Sequence, residues 1–190
     1  MSAMQSGIQD DIWIQEDIAK TSGLSGLEAD QHFFVYQNIL SLIAFIISHR
    51  PFADELVYAP SQFFSGNTDY PVRVYHELHS GDWWWNIQQS LPDGATVVPI
   101  IISVDKTQLS LISGDVAAWP VYVTIGNLSR EARRRRSTPG TLLAGFIPTT
   151  KIRDPLLKSQ VYHYCMGKLL SRKFKHHYIS LHGRTLLLTV

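Results

Sequence analysis

Three runs dense in apolar and β-branched residues follow one another in the second half of the chain: ATVVPIIISVD at 95–105, WPVYVTIGNL at 119–128 and TLLAGFIPTT at 141–150. Such residues suit a pleated, half-buried surface, so each run reads as a strand. The connections KTQLSLISGDVAA and SREARRRRSTPG are short enough to join antiparallel neighbours. A three-stranded meander is the simplest arrangement. Pro99, Pro120 and Pro148 are each expected near a strand end, because proline cannot donate to a ladder. Asp154 and Pro155 then have the form of a helix cap and first-turn residue. Leu157, Val161, Tyr164, Cys165 and Leu169 recur at helical spacing, so a helix closes the series.

Upstream, residues 31–49 read as a helix whose apolar positions surround most of the cylinder, as a buried helix requires. Its apolar core ILSLIAFII, at 39–47, falls short of the roughly 20 residues that span a bilayer. The polar, Gly- and Ser-containing residues 1–30 read as a weakly ordered leader, and they lack the basic start and apolar segment of a secretory signal. The sequence therefore predicts a soluble intracellular protein with no membrane partner. Its expected organisation is a leader at 1–30, a helical and irregular N-terminal region at 31–94, and an α+β domain at 95–190. With 190 residues, 45% of them hydrophobic and 17% charged, the chain can build one sizeable core. Cys165 is the single cysteine, which excludes an internal disulfide and a thiolate metal cluster.

A net charge of +1 conceals a segregation of signs. Residues 1–129 hold four basic side chains against fourteen acids, a balance of −10, whereas residues 130–190 hold thirteen against two, or +11. Either the basic third meets a polyanion such as DNA, releasing counterions, or the two halves neutralise each other. Arg133–Arg136, with Arg130 nearby, are expected on a loop between two strands. There they would serve as a solvated connection, as phosphate contacts or as a nuclear-import signal, positioning nucleic acid without reading its sequence.

Other constellations carry less chemistry. In HELH, His76 and His79 are three apart, not the four of a zinc-protease helix, and two histidines do not make a metal site. His176 and His177 are adjacent and diverge on a helix. Trp83, Trp84 and Trp85 cannot all face one core from a strand; packing against the core is the favoured reading over base stacking. Asp105 either ends its strand in a solvated turn or is held there for chemistry. SGLSG at 22–26 lacks the lysine and preceding strand of a phosphate-binding loop, and a Cys165–His163 pair would diverge on a helix.

In this order, PFADELVYAP, RVYHELHSGDWWWNIQ, LPDGATVVPIIISVDKTQLS, AAWPVYVTIGNLS, LLAGFIPTTK and VYHYCMGKLLS resemble the transposases of fungal Plavaka-type DNA transposons. Those elements are relatives of the Kyakuja, Dileera and Zisupton group and, more distantly, of CACTA elements. The resemblance covers about residues 51–171. It implies a ribonuclease-H-like core with an Asp-Asp-Glu set that uses Mg²⁺ for DNA cleavage and strand transfer. The aspartate of SVDKTQLS, Asp105, matches the first acid of that set. Two Mg²⁺ ions in such chemistry need hard oxygen ligands, and a rigid strand is a good mount for one.

After Asp105 the only carboxylates are Asp115, Glu131 and Asp154, two in connections and one at a helix cap, and no acid follows Ser171. The expectation is an incomplete ribonuclease-H-like fold: a meander and a helix, preceded by a helical N-terminal region. The protein would be a truncated, transposase-derived chain without cleavage activity, binding Mg²⁺ weakly at Asp105 alone. Nucleic-acid binding through Arg130, Arg133, Arg134, Arg135 and Arg136 would be its residual function, in the nucleus. The competing expectation is a small structural or interaction domain that binds no DNA. If YISLHGRTLLLTV supplies a further strand, the edge beside the first strand is covered.

Overall fold

The computed structural model describes residues 13–66, 69–108, 117–170, 177–181 and 184–189. In chain order the elements are β1 (Ile14–Asp17), α1 (Ile18–Thr21), β2 (Phe33–Tyr36), α2 (Ile39–Ser48), β3 (Phe63–Ser65), β4 (Val72–Val74) and α3 (Asp82–Gln89). They continue with β5 (Ala95–Val104), β6 (Thr107–Gln108), β7 (Ala117–Ala118), β8 (Pro120–Ile125), α4 (Arg130–Arg134), β9 (Leu142–Phe146), α5 (Pro155–Leu170), β10 (His177–Leu181) and β11 (Arg184–Thr189). The chain is a mixed α+β protein. Among the described residues, no helix is long and apolar enough to cross a membrane.

Two compact units emerge, each assembled from three separate stretches: residues 1–42, 102–123 and 143–172 in the first, and 43–101, 124–142 and 173–190 in the second. Strands β5 and β8 have residues in both.

In the first unit the strand order is β1-β2-β9-β8. β1 runs antiparallel to β2 with Ile14 opposite Tyr36, and β2 runs antiparallel to β9 with Tyr36 opposite Gly145. β9 returns along β8, because Ile147 N–H donates to the Trp119 carbonyl at 2.9 Å. The helix expected over 31–49 is divided: Phe33–Tyr36 form β2 and only Ile39–Ser48 form α2. Phe-Phe-Val-Tyr prefers the pleated surface. Asn38 then starts the helix, its Oδ1 accepting the Leu40 N–H at 2.9 Å. Residues 14–21 likewise hold a strand and a helical turn, within the stretch read as a leader; residues 1–12 lie outside the described residues. The expected cap of α5 is present: Asp154 Oδ1 accepts the Leu156 N–H at 2.9 Å, with Pro155 in the first turn. Leu157, Val161, Cys165 and Leu169 form its buried stripe.

In the second unit the order is β8-β5-β11-β10. Gly126 N–H donates to the Pro99 carbonyl at 2.7 Å, and where the same two stretches of chain continue in the first unit Thr107 of β6 pairs with Ala118 of β7. Rising numbers on one strand meet falling numbers on the other, so β5 and β8 are antiparallel. The expected succession of β5, β8 and β9 as a meander is thus observed. β11 lies parallel to β5, Thr185 opposite Ala95 through Thr189 opposite Pro99, and β10 pairs antiparallel with β11. The YISLHGRTLLLTV segment therefore does cover the edge of β5. Ala95–Ile100 are buried without alternation, the pattern of a strand covered on both faces. Pro99 lies inside β5 rather than near its end, at the last position that β11 pairs, where a missing N–H interrupts the parallel ladder least.

Three buried or half-buried polar side chains of this unit are tied to neighbouring backbone. Asn127 Nδ2 donates to the carbonyls of Val57 at 2.8 Å and Val97 at 3.1 Å. Thr96 Oγ1 donates to the Tyr58 carbonyl, and Gln88 Nε2 to that of Ala95 at 2.7 Å. Polar side chains sealed from water need such partners, and these also hold irregular segments against β5.

Candidate functional site

Asp105 follows directly on the last residue of β5 and is exposed. Lys106 comes next, then β6, so the acid stands in the turn that links two strands. The other late carboxylates are not drawn into a cluster with it. Glu131 is an exposed residue of α4, Asp154 caps α5, and Asp115 lies outside the described residues. Among the described residues, no group of three or more His, Cys, Asp and Glu side chains could hold a metal ion. The described residues therefore do not themselves fit a two-metal centre.

The arginine run departs from the expected loop. Arg130–Arg134 form α4, because Ser129 Oγ accepts the Ala132 N–H at 3.1 Å and Glu131 occupies the positively polarised first turn. Arg135 makes a two-pronged contact with Glu55, Nη1 and Nη2 lying 2.7 and 2.8 Å from its carboxylate oxygens. Their mutual hydrogen bonding lowers the Glu55 carboxyl below its ordinary range and raises the Arg135 guanidinium. Arg133 Nη1 donates to the Leu128 carbonyl at 2.6 Å, and its Nη2 is 3.7 Å from Glu77. Arg130, Arg134 and Arg136 are exposed; the Arg130 backbone N–H donates to Glu77 Oε1 at 2.8 Å, but none of the three guanidinium groups has a carboxylate partner among the described residues. Of the five arginines, three remain to meet a polyanion.

Glu55 and Glu77 belong to the acidic part of the chain and Arg133 and Arg135 to the basic part, so some charge is neutralised internally. Glu16 and Lys168 add a third such pair in the first unit, at 2.9 Å. Arg172, Lys173 and Lys175 lie outside the described residues, as does His176.

His76 and His79 do approach, with ring centroids 5.4 Å apart and Phe63 beside His76 at 4.4 Å. Burial, and then the nearness of His76, lowers the His79 imidazole below its usual range. The tryptophans sit on α3 rather than on a strand, at helical steps: Trp84 is 0% exposed and Trp83 is 45% exposed. Packing therefore accounts for Trp84.

A basic groove in the first unit escaped the sequence reading. Lys106, Lys151 and Lys158 line one concavity of about 170 Å³ together with Trp119, Thr149 and Val161. Three features bring the lysines together: the end of β5, the segment after β9 and the first turn of α5. The available signal was Lys106 beside the singled-out Asp105, together with Lys158 four residues after the Asp154 cap. It was faint, because the other half of the groove comes from residues over 40 positions away in sequence.

The comparisons bear on the chain as a whole. A family model described as Plavaka transposase matches residues 8–177. No curated protein and no solved structure matches.

Proposed function

Because the chain belongs to the Plavaka transposase family, we propose that it is a transposase-derived, nucleic-acid-binding protein. Its 95–190 part is read as ribonuclease-H-like and Asp105 as the first acid of the family's metal-binding set. The family match across residues 8–177 carries this reading. The fold supports it through the β5, β8, β9 succession, the parallel strand β11 beside β5 and the helix α5 after β9. A transposase family implies DNA as the partner and a divalent cation as the cofactor.

On this reading Asp105 would donate hard carboxylate oxygens to Mg²⁺, and the cation would supply charge stabilisation at a phosphodiester. A lone carboxylate leaves most of the shell to water, so the isolated chain binds Mg²⁺ weakly and does not cut DNA. Its remaining activity is electrostatic attachment, to which exposed Arg130, Arg134 and Arg136 contribute. The same basic run suits nuclear import.

The test is the purified chain on DNA at several salt concentrations, with and without Mg²⁺. DNA affinity should fall steeply with salt, and changing Arg130, Arg134 and Arg136 to serine should flatten that slope by up to about 0.9 per lost phosphate contact on duplex DNA. A Mg²⁺-dependent nick in supercoiled DNA that Asp105→Ala abolishes would overturn the proposed inactivity while affirming the role of Asp105.

A second reading has its own observation: Glu16–Lys168, Glu55–Arg135 and Glu77–Arg133 each pair an early acid with a late base. If such pairing is what the segregated charge is for, the protein is an interaction domain. It would then show no DNA binding even at low salt.

A further inference from the structure

The lysine groove of the first unit adjoins two concavities of different chemistry. One, of about 310 Å³, shares Lys106, Thr149 and Lys151 with the groove and adds Gln108. The other, of about 290 Å³, shares Trp119, Pro148 and Thr149 and is walled by Phe33, Val35 and Phe146. Phe146 is 39% exposed while stacking on Trp13 at 6.4 Å between centroids, and the Trp119 ring stacks on Tyr162 at 5.5 Å.

Lys106 and Lys158 have no carboxylate partner among the described residues, although Asp105 precedes the one and Asp154 the other in close succession. Like charges gathered on one concave surface repel one another, and a shared anion relieves that cost. Lys158 also sits in the first turn of the sixteen-residue helix α5, where the helix dipole adds positive potential. A basic rim that adjoins aromatic side chains matches a nucleotide, whose phosphate is charged and whose base presents a flat π-face.

We propose that this groove binds an unpaired nucleic-acid strand, with backbone phosphate at Lys106 and Lys158 and a base against the Trp119–Phe33–Phe146 wall. The inference rests on the nucleic-acid reading above and adds a location and a strand state to it. A paired base lies inside the duplex stack and cannot reach the wall, whereas an unpaired base presents its face to an aromatic ring. The groove therefore favours single strands, while the arginines of α4 contact phosphate in either form.

The experiment is fluorescence anisotropy of the full chain with labelled oligothymidylate and with a labelled duplex of equal length, across a salt series. Oligothymidylate should bind more tightly than the duplex. The double variant Lys106→Ala, Lys158→Ala should lower the single-strand salt slope by about 1.4, two contacts at about 0.7 each. Phe146→Ala should weaken oligothymidylate and leave inorganic polyphosphate unaffected, which separates base stacking from simple anion attraction.

Circular dichroism of each variant controls for folding, and Lys106→Arg with Lys158→Arg should restore binding. Unchanged oligothymidylate affinity in the folded double-alanine variant would overturn the groove. If the arginine-to-serine variant alone lost binding, the groove would fall and the nucleic-acid reading would stand. If no nucleic acid bound at any salt, both would fall.

Discussion

The Tyr164 hydroxyl donates to the Glu16 carboxylate across 148 positions of sequence, joining β1 to α5 within the first unit. Tyr36 donates to the other carboxylate oxygen at 3.3 Å, and Lys168 lies 2.9 Å from the first. The Tyr164 oxygen is also 2.9 Å from Thr21 Oγ1. One acid on a short N-terminal strand thus organises four side chains from β2, α1 and α5.

Tyr164→Phe keeps the ring and removes the donor. Hydrogen bonds to charged groups contribute about 1.5–3 kcal/mol, so the variant should lose that much stability by urea denaturation. A loss comparable to that of an ordinary surface substitution would mean that Lys168, Tyr36 and Thr21 hold Glu16 without the Tyr164 hydroxyl.

The same carboxylate makes stability depend on acid. Burial raises the Glu16 carboxyl, but bonds from Tyr164, Lys168 and Thr21 outweigh it and bring it from the ordinary 4.5 down to about 2. The unfolded chain takes up this proton first, so the contribution is complete above pH 4.5 and disappears as pH falls toward 2. Urea midpoints between pH 6 and pH 2 should fall more for the native chain than for Glu16→Gln. Equal slopes would refute the assignment. Lys168 is raised by its contacts with Glu16 and Tyr164 and acts at the other extreme, its contribution fading only in strong alkali.

The adjacent tryptophans should differ sharply. Trp84→Ala removes a ring that is 0% exposed and should cost about 3–5 kcal/mol. Trp83→Ala, at a site 45% exposed, should change stability by less than about 0.5 kcal/mol. Thermal melts of the two variants distinguish a helix with one inward tryptophan from an aromatic cluster buried as a whole.

Glycines divide in the same way. A Cβ at Gly145 would lie 2.8 Å from the Val35 carbonyl oxygen and 3.0 Å from Tyr36 Cβ, so Gly145→Ala should push β9 from β2 and cost about 1–3 kcal/mol. At Gly167, within α5, a Cβ meets nothing within 4 Å. Gly167→Ala should stabilise by roughly 0.5–1 kcal/mol, by restricting the unfolded chain. Calorimetric midpoints moving in opposite directions are the expected outcome.

What the sequence by itself determined is the local grammar. The β-branched runs specify β5, β8 and β9; Asp154 and Pro155 specify where α5 begins; and the order of motifs specifies the family. These depend on neighbours a few positions apart, and periodicity, capping and proline record such neighbours directly. The misread elements show the limit: Phe33–Tyr36 and the arginine run each had an apolar or charge pattern compatible with more than one backbone. Only the tertiary structure decided that Arg135 would be engaged by Glu55, 80 positions away, and that Lys106 and Lys158 would line one groove. Charge and spacing reveal which groups a chain possesses. Which of them meet is settled by packing, because burying the apolar faces of the strands and α5 fixes where the polar groups at their ends must lie.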